Sequence, residues 1–357
     1  MASELKVDTI SEKTTASGVT VDGVLIKDSA INASSVSGIN RKNVIINGNF
    51  DIWQRGTSFT ATGYTADRWY AIASGTGTTT ISQQSFTLGQ TDVPNEPKYY
   101  LRIAKSSGAT SGDYLSSKNE SVRTFAGQAT VISFYAKASA ATTLTPAIRQ
   151  NFGTGGSPSS LNDAVKSDIS VTTSWQKFTI THTFDSISGK TLGTNNNDHI
   201  ELFFNIQNAA GDSIDFAQFQ WEKGSVATDF EVRPIGEELN LCARYYQKLI
   251  SPRVNFNFDN AGLASTTSIF IVSIPLINEM RIDSDGTTGT VTKSGNMAIN
   301  DFSSNGNNLS GTPINYFRIS KTILQLGLNK ATANMTSGSH YELSAANNAY
   351  FDIDLEL

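Results

Sequence analysis

One cysteine, three histidines and eight prolines in 357 residues leave the chain short of the chemistry on which many enzymes and extracellular folds rest. The lone Cys242 excludes an intrachain disulfide framework and any multi-cysteine metal site, so stability has to come from packing, with association between chains as a further available source. Charged residues make up only 17%, with 27 Lys and Arg against 32 Asp and Glu and a net charge of -5. That balance offers nothing to grip a phosphate backbone, and nucleic acid is not an expected partner. Long apolar runs are missing too. The most apolar window, Ser268 to Ile277, is about half the length of a membrane helix and contains Pro275, so membrane insertion is not expected and the chain reads as soluble. The opening "MASELKVDTISEK" has no apolar h-region and carries Glu4 and Asp8 where a secretory signal is basic and then greasy.

What is present is 38% hydrophobic and 10% aromatic residue content, enough for true cores in two or three domains. Abundant Ser, Thr, Asn and Gly with low charge is the composition of an extracellular-type β protein. In "VTVDGVLI" (19–26), Val19 and Val21 face Val24 and Ile26 across Asp22-Gly23, a two-residue hairpin signal. A two-stranded ribbon lacks a core of its own, and the polar residues around it cannot supply one. Residues 1–42 therefore read as an extended attachment segment that orders against another copy or a docking surface.

Residues 43–233 read as all-β. "WQKFTITHTF" places Phe178, Ile180, His182 and Phe184 on one face; "TVISFYAK" turns Ile132, Phe134 and Ala136 inward; "HIELFFNIQ" does the same with Ile200, Leu202, Phe204 and Ile206. Many short strands with one apolar face, separated by Gly, Ser and Asn turns, predict a β-sandwich of jelly-roll type. A helix is predicted over 234–250, with Pro234 near its start, Glu237 and Glu238 in the first turn, and Arg244 and Lys248 late. Its stripe is Leu239, Cys242, Ala243, Tyr246 and Leu249, broadened by Leu241 and Tyr245, which makes Cys242 a small buried hydrophobe. Residues 251–357 read as a second β domain, closed by "YFDIDLEL" as a strand alternating Phe351, Ile353, Leu355 and Leu357 with polar residues up to the last position.

The catalytic inventory is thin. His182, His199 and His340 have no metal-ligand spacing to one another, and no nucleophile elbow, P-loop or dinucleotide fingerprint occurs. "GTGGS" (153–157) does not lead into a helix, so it is not a phosphate cradle. Asp212 with Asp215, and Asp283 with Asp285, read as turn residues before they read as paired acids. Glycosidase carboxylates come from distant parts of a chain and are not legible by spacing, but catalysis ranks well below binding. Binding has better material: the outward face of "HIELFFNIQ" presents Glu201, Phe203, Asn205 and Gln207, one ring in a polar row, as a sugar-binding sheet requires. Trp53, Trp69 and Tyr70 add rings near the first turns of the sandwich. The apolar faces of Val19, Val21, Val24 and Ile26, and of the helical stripe with Leu239 and Tyr246, suggest a trimer.

The segments "IINGNFDIWQRGTSF", "YTADRWY", "ISFYAKA", "SWQKFTITHTF" and "DSIDFAQFQWEKGSVATDFEVRPIGEELNLCARYYQK", in this order, resemble tail-fibre-like virion structural proteins of tailed bacteriophages. The central region is similar to jelly-roll carbohydrate-binding modules; "IPLINEMRI" and "AYFDIDLEL" resemble the ends of the same phage proteins. "LKVDTISEKTTASGVTVDGVLIKD" resembles the head of structural proteins from phages of aquatic bacteria. The resemblance implies a non-enzymatic component of the virion surface, made in the host cytoplasm. It would be a homotrimeric tail fibre or receptor-binding adhesin that contacts host-surface glycans and joins other virion proteins through its N-terminal segment. A capsid-decorating head fibre is the alternative, and a polysaccharide depolymerase the third option. It further implies that "NGNFDIW" is the first strand of the sandwich. No cofactor is expected beyond a structural calcium shared by Asp51 and Asp215, with Asp51 standing where those modules often carry Glu.

Overall fold

The computed structural model of the chain describes residues 41–73, 77–107, 111–250, 256–282, 289–295, 297–301, 304–308, 314–329, 335, 337, 339–345 and 349–357, together with three short strands before residue 41. Those strands, β1 (Val19–Val21), β2 (Val24–Lys27) and β3 (Ala30–Ile31), form an antiparallel sheet in sequential order. Val21 pairs with Val24 and Val19 with Ile26, the register that a two-residue Asp-Gly connection requires. The side chains of Val19, Val21, Val24 and Ile26, and the docking expected of them, lie outside the described residues.

Apolar alternation in the middle of the chain produces two antiparallel sheets that share one core. In order come β4 (Ser58–Phe59), β5 (Gly63–Tyr64), β6 (Trp69–Ile72), β7 (Thr79–Ser85), β8 (Tyr99–Lys105), β9 (Ser111–Glu120), β10 (Ala129–Ala138), β11 (Thr142–Asn151), β12 (Asn162–Val165), β13 (Ile169–Val171), β14 (Gln176–Thr183), β15 (His199–Asn208) and β16 (Ser213–Lys223). The six-stranded sheet runs β14-β10-β16-β8-β7-β4, and the seven-stranded sheet runs β12-β11-β15-β9-β6-β5 with β13 beside β11. Ile132, Phe134 and Ala136, and Ile200, Leu202, Phe204 and Ile206, are all fully buried between them, as strand parity requires. Phe134 stacks on Phe219 with centroids 4.9 Å apart and meets Phe204 edge-on at 5.1 Å. Full burial of each such ring contributes roughly 1.5–3 kcal/mol. The alternation of β16 changes hand at a bulge: Ile214 and Phe216 point inward, Gln218 takes φ 50°, and Phe219 and Trp221 then point inward again.

Residues 43–57 correct one expectation, because "NGNFDIW" forms no strand. Instead a turn is built around Asn47, at φ 57° and fully buried. The Asn47 side chain accepts from the Ile52 N–H at 3.0 Å and donates to the carbonyls of Ile52 and Asp67 at 2.8 and 3.0 Å. Its own carbonyl accepts the Trp69 indole N–H at 3.0 Å. Gly48 lies against β16, and a Cβ there would overlap the carbonyl oxygen of Phe219. The segment thus closes one end of the sandwich as a plug of side-chain hydrogen bonds.

The helix is half as long as predicted. Helix α1 (Ile235–Ala243) ends before Tyr245, and the chain continues as β17 (Tyr246–Ile250), paired with the final strand. Tyr246 is therefore a strand residue, 3% exposed, with its hydroxyl on Asp352, and is not available to a neighbouring chain. Leu239 stays 41% exposed. Beyond β17 lie β18 (Phe256–Ala264), β19 (Ile269–Pro275), β20 (Thr290–Ser294), β21 (Met297–Asp301), β22 (Ser304–Asn308), β23 (Ile314–Ser320), β24 (Ile323–Asn329), β25 (His340–Ala345) and β26 (Tyr350–Asp354). They make a three-stranded sheet, β17-β26-β20, and a seven-stranded sheet, β22-β21-β25-β18-β19-β24-β23, with a core of their own that includes Phe270, Leu326, Phe351 and Ile353. The whole is an all-β molecule with one helix among the described residues, a jelly-roll-type sandwich followed by a second β region.

The final strand stops at Asp354, short of the predicted end; one more in-register bond runs from the Leu355 N–H to the Tyr245 carbonyl, and Glu356 then turns onto the sandwich. There Glu356 pairs with Arg55 at 3.2 Å and with Arg68. The guanidinium of Arg55 lies 3.7 Å from the Tyr246 ring centroid, and that of Arg68 lies 3.4 Å from that of Tyr245. Asp67, buried beside them, accepts from the backbone and side chain of Gln54 at 3.0 and 2.5 Å. Burial raises its carboxyl to about 6, against the opposing pull of Arg55.

Candidate glycan-binding face

The outer face of the seven-stranded sheet follows from the same parity that fills the core. Because Ile200, Leu202, Phe204 and Ile206 point inward, His199, Glu201, Phe203, Asn205 and Gln207 share the opposite side of β15. Register aligns the neighbours. Phe203 pairs with Ser116 of β9 and Ala147 of β11, and Ser116 pairs in turn with Tyr70 of β6, which pairs with Tyr64 of β5. One row below, Lys118, Glu201, Arg149 and Asp163 stand side by side with alternating charge. One row above, Tyr114, Asn205 and Thr145 are paired.

Rings in this face are only half-buried, and the polar groups around them are held in place. Tyr64 and Tyr70 meet edge-on at 5.1 Å. The Arg149 guanidinium lies 5.1 Å from the Phe203 centroid. It donates to both oxygens of Asp163 at 2.6 and 2.9 Å and to Glu201 at 3.2 Å, and this pairing raises its pKa. Both carboxylates of the row are thus bound by one guanidinium. Gln207 donates to Asn205 at 2.9 Å, and Asn205 reaches the Tyr114 hydroxyl at 3.5 Å. Lys118 donates to the Leu357 carbonyl at 2.9 Å, as does Tyr64, and burial lowers the Lys118 pKa. One same-face row further on, between Glu120 and Asn151, His199 donates its Nδ1–H to the Asn197 carbonyl at 2.8 Å, and burial lowers its pKa too. A face of apolar rings among fixed amides, carboxylates and a guanidinium can take the C–H face of a planar ligand on the rings and its hydroxyls on the polar groups.

Of the residues singled out from sequence, Tyr70, Glu201, Phe203, Asn205 and Gln207 meet on this face. The two tryptophans do not. Trp69 shares β6 with Tyr70 but has the opposite parity, is fully buried and packs on Phe50 and Phe219. Trp53 packs against the core, with its N–H on the Phe50 carbonyl and its ring stacked on Phe59 at 6.4 Å. Tyr64, Tyr114, Lys118, Arg149 and Asp163 were missed. Strand β9 carries Asp113, Ser117 and Asn119 on its buried side, so no apolar alternation announces it, and Pro146 interrupts the pattern of β11.

Asp51 and Asp215 do not fit a shared calcium site. Both oxygens of Asp215 accept from Arg102, at 2.7 and 2.8 Å, which puts a guanidinium where the ion would sit. Asp51 accepts from the Asn49 amide at 2.9 Å, and burial raises its pKa. Among the described residues no three His, Cys, Asp or Glu side chains gather into a metal-binding group. Asp212 sits in the β15–β16 turn, as the sequence predicts, while Asp283 and Asp285 lie outside the described residues. Cys242 is fully buried, and desolvation raises its thiol pKa. His182 packs on Phe184 at 4.6 Å and is lowered to about 4 by burial and the nearby Lys166. A polar cleft of about 500 Å³ lies where Glu120, Ser121, Asn196 and Asp198 of the sandwich meet Arg281, Ile282 and Lys321. Its carboxylates are engaged, Glu120 with Arg244 at 3.0 Å and Asp198 with the Ser121 hydroxyl and the Val122 N–H.

No protein-family model matches the chain, and no curated protein matches it. Solved structures do. The enzymatically active domain of bacteriophage CBA120 tailspike protein 4 is 12% identical at a TM-score of 0.35, over 51% of this chain and 21% of that one. TmCBM61 in complex with β-1,4-galactotriose is 12% identical at a TM-score of 0.32, over 51% of this chain and 99% of that one. The CBM22-1 xylan-binding domain from Paenibacillus barcinonensis is 16% identical at a TM-score of 0.31, over 48% of this chain and 94% of that one.

Proposed function

We propose that the protein is a non-enzymatic adhesin that binds saccharides on the outer face of the seven-stranded sheet and works as a trimeric fibre on a phage virion. The observation that carries the binding is the row of half-buried rings, Tyr64, Tyr70 and Phe203, set directly against the fixed polar row Lys118, Glu201, Arg149 and Asp163. Rings beside fixed polar groups meet the two needs of a saccharide site, stacking and hydrogen bonding, and Arg149 holds both carboxylates of the row in place. The fibre setting rests on the sequence resemblance. Val226, Val232, Ile235 and Leu239 are exposed around α1, between 41% and 74%, and supply apolar surface for contact between copies.

Incubating the protein with host capsule or lipopolysaccharide tests the reading. Retention of the polysaccharide at unchanged chain length is expected. Shortened chains would make the protein a depolymerase, and absence of retention would remove the adhesin.

A further inference from the structure

A second group of rings occupies the other outer face of the sandwich, on the six-stranded sheet. Ile81, Leu101 and Ile103 point into the core, so the even-numbered positions of β7 and β8 point out, and Tyr100 and Phe86 fall on that side. Trp175, just before β14, joins them. Ring centroids lie 4.8 Å apart for Phe86 and Tyr100, 5.3 Å for Phe86 and Trp175, and 5.5 Å for Tyr100 and Trp175. All three are half-buried, and none belongs to the sandwich core.

Two cations flank the rings. Lys137 Nζ lies 5.2 Å from the Trp175 centroid and 5.9 Å from that of Tyr100, and the Arg102 guanidinium lies 5.7 Å from that of Tyr100. Both are anchored on one acid. Asp215 takes Nε and Nη2 of Arg102 at 2.7 and 2.8 Å and sits 3.8 Å from Lys137 Nζ. The Asp215 side chain is 3% exposed, whereas those of Arg102 and Lys137 are 33% and 31% exposed. A buried negative charge thus holds two positive charges at the surface, and the patch carries an excess cation in a chain whose net charge is -5. Rings braced on one another, with cations braced from below, form a site organised before any ligand arrives.

We propose that this cluster is a second saccharide site, specific for a sugar that bears a carboxylate. The sugar's C–H face stacks on Trp175, and its carboxylate lies between Lys137 Nζ and the Nη1 end of Arg102. A neutral sugar would leave the excess cation without a partner, and a bare anion would leave the rings idle; a uronate uses both. The site is independent of the Phe203 face, since the two lie on opposite sheets.

The test is calorimetric titration of the full chain with hexamers of α-1,4-galacturonate and of β-1,4-glucuronate, each beside its methyl-esterified, uncharged form. At least one charged hexamer is expected to bind, with its ester at least tenfold weaker. Trp175→Ala and the milder Lys137→Gln should each weaken that binding at least tenfold, while Phe203→Ala leaves it within twofold. Absence of binding to both hexamers, or loss with Phe203→Ala but not with Lys137→Gln, would overturn the proposal. So would a drop in particle mass by light scattering for Trp175→Ala, which would make the patch a contact between copies.

Discussion

Asn47 makes hydrogen bonds with every polar group it has, and does so in a left-handed backbone conformation that asparagine tolerates better than most residues. Asn47→Ala would strand the Ile52 N–H and the Ile52 and Asp67 carbonyls inside the protein, and should lower unfolding free energy by about 2–4 kcal/mol in urea titrations. Asp67 gives a sharper test, because its folded pKa of about 6 lies above the ordinary value of 3.8. A carboxyl raised on folding stabilises the protein below its unfolded pKa, and that contribution is lost as pH rises through its folded one. Asp67→Asn should therefore gain on the native protein in melting temperature between pH 4 and pH 7.5. A difference that stays constant over that range would mean that Asp67 is not held up by burial. Sequence could not reveal either residue's burial, just as it could not place Trp69 and Trp53. Residue type says that a ring can bind or pack, and only the parity of its strand says which. Parity was readable for Phe203 in its strongly alternating strand and unreadable for Trp69 in a four-residue one.

Among the elements, β14 was legible because it turns one face to the core, and β10 and β15 because Ile132, Phe134 and Ala136, and Ile200, Leu202, Phe204 and Ile206, keep an apolar period of two even where the opposite face is buried as well. Helix α1 was legible only in part. Tyr245, Tyr246, Gln247 and Leu249 are all buried, so the segment has no alternation to distinguish a strand from the helical stripe. Pairing with β26 over Tyr246–Ile250 decides the matter, a long-range contact that local pattern does not contain. The same contact carries Glu356 to Arg68, whose side chain is 1% exposed and whose partner is 4% exposed. Glu356→Gln leaves a buried guanidinium with a weaker partner, and stability should fall by about 3 kcal/mol or more. Urea titration of the variant checks this, and an unchanged midpoint would mean that the pair holds nothing together.

For the whole molecule, the all-β architecture and the outward row of β15 could be read from the chain, while the calcium pair and half of the helix could not. Asp215 illustrates the reason: its sequence neighbours mark a strand, but the Arg102 that occupies both its oxygens is over a hundred positions away. Assembly is testable at this scale. Light scattering at micromolar concentration should give three chains per particle. The proposed fibre reading predicts that a chain beginning at Asn43 keeps its β regions folded yet fails to enter virions when supplied to a phage lacking the protein, as an immunoblot of purified particles would show. Normal incorporation would move the anchor elsewhere.

The most direct measurement is the affinity of the purified protein for host-surface polysaccharide, compared with a Phe203→Ala, Asn205→Ala double variant of unchanged melting temperature. Removing a stacked ring and its neighbouring amide should weaken binding at least tenfold, about 1.4 kcal/mol or more. Equal affinity of the native and variant proteins would contradict the assignment of glycan binding to the outer face of the seven-stranded sheet.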